Sequence, residues 1–169
     1  MFGSNAPVAG DAAYAQARAA GRKLAELGYA VANGGYGGTM AASARGAKDA
    51  GGRTIGVTCR IWSPEPNAFT DECVVTDTLA ERVETLLRLG AAGYVVLPGG
   101  TGTLVELATA WELMGKGLMR PRPLVCLGGF WRPLVDMMTS VRANAGDIVT
   151  VVEPVDALDG CFPRHGGAR

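Results

Sequence analysis

The sequence predicts a doubly wound α/β domain, a parallel sheet with helices on both faces in three α/β/α layers. Short apolar runs such as "RTIGVTC" (53–59), "GYVVLP" (93–98) and "IVTVVE" (148–153) alternate with longer helix-like segments. Strands that are apolar throughout, separated by helices, belong to parallel sheets buried on both sides. Glycine clusters stand where strand-like runs give way to helices: "GSN" (3–5), "GGYGG" (34–38) and "PGGTGT" (98–103). The 169 residues, 48% of them hydrophobic, suffice for one sizeable core. The right-handed crossover rule then fixes the winding.

The elements follow in order. Only Met1 and Phe2 precede the first glycine turn, so the first strand is expected to be incompletely built. "AAYAQARAAGRKLAELG" (12–28) reads as an alanine-rich helix with a glycine stop. "YAVAN" (29–33) is a strand, and small residues from Thr39 to Gly52 form a second helix. Strand 53–59 is followed by a polar, proline-containing loop (60–72) and by strand "CVVT" (73–76). Asp77 or Thr78 caps a helix running to about Leu89. Strand 93–98 leads through the third glycine turn into a helix reaching about Gly115. "RPLVCLGG" (122–129) is a strand, "WRPLVDMMTSVRAN" (131–144) a helix and 148–153 the last strand. Residues 1–160 read as a single domain and 161–169 as a flexible tail.

Sixteen basic and sixteen acidic residues cancel and are scattered, which argues against a nucleic-acid or anionic-membrane partner. The longest apolar runs are strand-length, well below the ~20 residues of a membrane span. No charged-then-apolar leader is present. Cys59, Cys73, Cys126 and Cys161 are far apart with no C-x-x-C pair. They read as small buried hydrophobes and reduced thiols of a cytoplasmic protein, with no metal site.

Ligands of doubly wound sheets bind at the carboxyl ends of strands, near the switch in strand order. The densest of the three glycine turns, "LPGGTGTLVE" (97–106), runs from strand into helix. Its backbone permits close approach, and the unpaired N–H groups of a helix start attract an anion. There is no G-x-G-x-x-G followed by an acid and no GK[ST]. A mononucleotide or other single phosphate is therefore expected, rather than a dinucleotide cofactor. Contacts are expected from Gly99, Gly100, Thr101, Gly102 and Thr103, with Gly34, Gly35, Gly38 and Thr39 from the second turn and Ser4 from the first.

Glu106 has two readings. Thr103 and Glu106 have the T-x-x-E spacing of a capping box. Alternatively, with phosphate on the amides, the carboxylate reaches the sugar carbon where positive charge develops during glycosidic cleavage.

"PGGTGTLVE" (98–106) matches the P-G-G-x-G-T-x-x-E signature of the LOG family, the cytokinin-activating nucleoside 5′-monophosphate phosphoribohydrolases, whose members are often labelled lysine decarboxylase-like. "FGSNAP" (2–7) and "NGGYGGTMAA" (33–42) are similar to the family's earlier turns. The resemblance implies a Rossmann-like fold, a homodimer and hydrolysis of the base–ribose bond of AMP or its N6-modified forms, without a cofactor. It places the catalytic glutamate on Glu106 and the catalytic arginine on Arg82, in "LAERV" (79–83), with Arg88 as a rival. Leu79 and Val83 stand where the family has Met and Lys.

Decarboxylation would call for a lysine Schiff base to pyridoxal, and Lys23, Lys48 and Lys116 all fall on helix surfaces or ends. The same signature occurs in proteins similar to molybdenum-cofactor carriers, so a non-hydrolytic binder of a phosphorylated cofactor is the alternative. Loop 60–72, with Arg60, Trp62 and Phe69, is expected to decide base preference, although Trp62 also reads as a packing residue.

Overall fold

The structure, a computed structural model, describes residues 1–142 and 146–165. Its element order is α1 (Ala12–Glu26), β1 (Val31–Asn33), α2 (Gly38–Asp49), β2 (Thr54–Cys59), β3 (Glu72–Thr76), α3 (Leu79–Leu89), β4 (Tyr94–Val96), α4 (Thr101–Gly115), β5 (Leu124–Leu127), α5 (Arg132–Val141), β6 (Val149–Val152) and α6 (Leu158–Cys161). All strand pairs are parallel, in the orders β1-β2-β3 and β4-β5-β6. The expected α/β fold, a parallel sheet with helices on both sides, is present.

The two halves are joined by the shortest segment. Phe2 donates its N–H to Val95 O at 2.9 Å and accepts from Leu97 N at 3.0 Å. The Met1 nitrogen donates to Ala32 O at 2.5 Å. Met1 and Phe2 thus fill the gap between β1 and β4, and the expected deficiency of the first strand is met by two residues. Phe2 is 2% exposed and stacks on Tyr94 at 5.2 Å, so burial of a large aromatic anchors this short join.

Alternate residues of β4 and β5 face opposite cores, as a period of two requires. Tyr94, Val96, Leu124 and Cys126 pack against α3, α4 and α5. Val95, Leu97, Val125 and Leu127 pack against α1, α2 and α6. The alanine-rich character of α1 and α2 follows from how closely they approach. A Cβ on Gly21 would lie 2.0 Å from Ser43 O, and one on Gly46 would lie 1.9 Å from Arg18 O.

Three expectations are corrected. β3 is not covered on both faces: Glu72, Cys73, Val74 and Val75 are exposed. The crossover from β2 to β3 is the loop expected at 60–72, so no crossover helix covers that edge. Cys73 on that edge is exposed and Cys161 at the end of α6 is half-buried, while Cys59 and Cys126 are buried as expected. The segment beyond residue 160 is not a loose tail as far as His165. Phe162 is 3% exposed, His165 N donates to Leu27 O at 2.8 Å, and its ring stacks on Tyr29. Residues 166–169, and the last two residues of the expected helix 131–144, lie outside the described residues. Among the described residues no helix is long and apolar enough to cross a membrane.

Candidate functional site

An open pocket of about 570 Å³ lies at the carboxyl ends of Met1–Phe2, β1 and β4, where the strand order switches. The Gly3–Asn5 turn, Tyr36, the Trp62–Ser63 segment and the start of α4 form its walls, with Arg82 and Glu106 also on its lining.

The start of α4 is bare. Gly100 is its N-cap, in extended conformation, and no side chain caps the helix. A Cβ on Gly100 or Gly102 would meet nothing within 4 Å, so both backbones border open space. Uncapped N–H groups and the positive end of a fifteen-residue helix dipole make this wall suited to an anion.

The capping-box reading of Thr103 and Glu106 fails. The helix begins two residues before Thr103, whose buried hydroxyl donates to Gly3 O at 2.9 Å. Glu106 turns instead to Arg82. Its Oε1 lies 3.3 Å from Arg82 Nη1, and the two side chains are only 8% and 9% exposed. Arg82 lies on the buried face of α3 with Val83, Leu86 and Leu87, and the Thr78–Glu81 capping box fixes the helix start four residues before it. Arg82 Nε donates to Val57 O at 2.8 Å and Nη2 to Gly34 O at 3.1 Å. Each of the three guanidinium nitrogens thus has a partner, which fixes the fork in place. Arg88, the rival, is exposed at the other end of α3 beside Glu84, 3.8 Å away. It does not line the pocket.

Burial raises the Glu106 pKa from an ordinary 4.5 to about 7, against the opposing pull of Arg82. A carboxyl group that titrates near neutrality in a cleft is a common mark of a functional acid or base.

The second glycine turn builds the site from behind. Gly34, Gly35, Gly38 and Thr39 are buried and do not line the pocket. A Cβ on Gly34 would stand 2.0 Å from Arg82 Nη2, so glycine there makes room for the guanidinium. Gly35 and Gly38 have φ of +77° and +61°. Thr39 Oγ1 accepts from Ser4 N at 2.8 Å and Thr39 N donates to Ser4 O at 2.8 Å, which shapes the first turn. Ser4 lines the pocket; Gly99 packs against Thr103. Thr101, Gly102 and Thr103 line it with Gly100.

Two contributors escaped the sequence reading. Asn33 is buried at the end of β1, donates to Met40 O and Ser43 Oγ, and accepts from Gly35 N, clamping the turn. Tyr36 accepts from Cys59 N at 2.7 Å and reaches Ser63 O at 2.9 Å, while its ring lies 5.6 Å from Arg82 Cζ. A lone aromatic among four glycines was the available signal for Tyr36. Of the loop residues singled out, Trp62 lines the pocket. Arg60 pairs with Asp77, and Phe69 lies beneath Arg45. Lys23, Lys48 and Lys116 are in surface ion pairs, none of them at the pocket. Among the described residues no cluster of His, Cys, Asp or Glu could hold a metal ion.

Fold and pocket together define a Rossmann-like protein with an anion-ready helix start and a buried acid at the strand switch. Residues 40–157 match the family model described as "Possible lysine decarboxylase". The chain is 37% identical to the cytokinin riboside 5′-monophosphate phosphoribohydrolase of Mycobacterium tuberculosis, over 82% of this chain and 83% of that one. It is 36% identical to the protein of the same name from Mycobacterium marinum, over 87% and 84%. Among solved structures it superposes on the molybdenum cofactor carrier protein of Chlamydomonas reinhardtii with a TM-score of 0.70 and 27% identity, covering 95% of this chain and 91% of that one. The molybdenum cofactor binding protein of Rippkaea orientalis shares the fold, with a TM-score of 0.72, 21% identity and coverage of 91% and 88%. The chain belongs to the LOG family, the group that carries the lysine decarboxylase-like label.

Proposed function

We propose that the protein is a nucleoside 5′-monophosphate phosphoribohydrolase acting on AMP or an N6-modified AMP. The observation that carries the reading is the buried Arg82–Glu106 pair on the lining of the pocket that the uncapped start of α4 also borders. The phosphate binds the amides of Gly100–Thr103, leaving the sugar to face Glu106. Water adds to C1′ as the bond from C1′ to the base breaks, giving free base and ribose 5-phosphate. The Glu106 carboxylate stabilises the oxocarbenium-like sugar or takes a proton from the water. Arg82 holds that carboxylate in place. The two mycobacterial relatives bear the name of this activity. Incubation with AMP, followed by chromatography, is expected to show adenine and ribose 5-phosphate in equal amounts; unaltered AMP would refute the activity.

The second reading is a carrier of a phosphorylated cofactor, favoured by the Chlamydomonas neighbour and by Val83 in place of a basic residue beside Arg82. Tight binding of AMP without turnover would support it.

The phosphate site has its own test. Gly100→Val places a side chain in open space at an extended position, so the fold tolerates it. AMP affinity by calorimetry should fall at least ~10-fold, with one cooperative thermal transition retained. Unchanged affinity would put the anion elsewhere.

The functional unit is proposed to be a cytoplasmic homodimer. Leu104, Leu134, Met138, Val141 and Ile148 border an apolar groove of about 720 Å³ between α4 and α5, and Val141 is 83% exposed. Apolar grooves of this kind mark association surfaces. Light scattering at micromolar concentration should give twice the chain mass of 17.4 kDa, and a monomeric mass would contradict the proposal.

A further inference from the structure

The fold buries two of its three tryptophans and leaves the third at the pocket mouth. Trp111 and Trp131 are 9% and 6% exposed, in the core over α4 and α5, whereas Trp62 is 58% exposed. An indole left in water forgoes a large hydrophobic gain. The backbone around Trp62 is nevertheless held in place. The Trp62 backbone N–H donates to Cys59 O at 3.0 Å, and Ser63 N donates to the same oxygen at 3.1 Å, so residues 59–63 form a tight strap. The Tyr36 hydroxyl accepts from Cys59 N and reaches Ser63 O, tying both ends of that strap to the second glycine turn. The Trp62 ring meets the Tyr36 ring edge-on at 6.3 Å, and Arg82 Cζ lies 5.8 Å from its centroid. Asn67 fastens the rest of the loop, donating from Nδ2 to Gly35 O and Tyr36 O.

The strap occupies the crossover between β2 and β3, where a helix would otherwise cover the sheet. Its product is a solvent-facing aromatic beside the ion pair, carried on a hydrogen-bonded backbone. We infer that Trp62 is the stacking wall for the base of the nucleotide and selects purine over pyrimidine nucleotides. The inference rests on the phosphoribohydrolase site proposed above. With phosphate at α4 and sugar at Glu106, the remaining apolar wall of the same pocket, formed by Tyr36, Met40 and Trp62, falls to the base. Stacking needs only a flat π surface, and a two-ring base covers more of an indole than a one-ring base does. Because the strap backbone is already hydrogen-bonded, stacking does not require the loop to be ordered on binding.

The test compares AMP, CMP and ribose 5-phosphate by calorimetry on wild type, Trp62→Ala and Trp62→Phe. Loss of base–aromatic stacking corresponds to roughly a five- to hundredfold change in affinity. Trp62→Ala should weaken AMP by about tenfold or more, weaken CMP less and leave ribose 5-phosphate unchanged, while Trp62→Phe restores part of the AMP affinity. Equal AMP affinity in wild type and Trp62→Ala would overturn the inference and leave the phosphate site standing. Equal weakening of AMP and ribose 5-phosphate would also overturn it, since Trp62 would then be supporting the site and not the base. Wild type that binds ribose 5-phosphate but gains nothing from the adenine of AMP would overturn the base wall alone. Failure of wild type to bind any of the three would overturn the inference together with the proposed function.

Discussion

Replacing Glu106 by Gln is expected to lower turnover of AMP by roughly a hundredfold or more, the scale on which a single electrostatic stabiliser acts. Gln retains an oxygen for Arg82 Nη1 and nearly the same volume, so nucleotide binding and the fold should survive. Binding should tighten if anything, because a negative charge is removed from the neighbourhood of a phosphate. A variant that turns over normally would remove Glu106 from the mechanism. The pH dependence gives an independent reading. Glu106 has its pKa raised to about 7, so the functional carboxylate is lost as pH falls through neutrality. In wild type kcat/KM should therefore decline on the acid side of about pH 7, and in Glu106→Gln the small residual rate should lack that decline. Stability runs the opposite way. Between about 4.5 and about 7 the folded chain holds a proton that the unfolded chain has released. This group's contribution is greatest below that window and falls as pH rises through it. Urea midpoints should show less of that fall in Glu106→Gln.

Arg82→Leu is expected to be the most destabilising change in the site. It leaves the Glu106 carboxylate buried without its partner and strips the donors from Val57 O and Gly34 O. Breaking a buried pair from one side costs about 3–5 kcal/mol. For a chain of this size that is a fall in Tm on the order of 10 °C. Arg88→Leu, on the same helix but at the exposed end, is the control and should stay within ~0.5 kcal/mol of wild type. Equal effects of the two substitutions in a thermal melt would mean that the Arg82–Glu106 contact contributes nothing. Combining Arg82→Leu with Glu106→Gln should recover part of the loss, because no ionisable carboxyl is then left buried without its partner.

How much of this was legible beforehand depended on whether the deciding contact was local. The α/β alternation was visible because periodicity and glycine turns are written within a few residues. The helix start at 98–103 was visible for the same reason. The pairing of Thr103 with Glu106 as a cap was a misreading of that local kind. A T-x-x-E spacing is the same whether the glutamate folds back on its helix or faces across a pocket, and the partner that decides it, Arg82, is 24 residues away in the chain. The anion wall could be read from glycine spacing. The work of Gly34, which makes room for a guanidinium from a distant helix, could not. Thr39 is expected as a ligand contact, yet its hydroxyl holds the Gly3–Ser4 turn from behind; the Thr103 hydroxyl holds the same turn while Thr103 itself lines the pocket. The join at Phe2 was underestimated because two residues look too few for a strand. Hydrogen bonds to Val95 and Leu97 and stacking on Tyr94 make them enough.

The central claim is that one pocket places phosphate at the start of α4 and the anomeric carbon at Glu106. The crystal structure of the Glu106→Gln variant with AMP tests it most directly, since the slowed variant retains its substrate. Phosphate oxygens are expected within hydrogen-bond distance of the amides of Gly100–Thr103, with C1′ facing the substituted side chain of Glu106→Gln and adenine against Trp62. Phosphate bound away from α4, or adenine lying at the glycine turn with the sugar turned from residue 106, would contradict it.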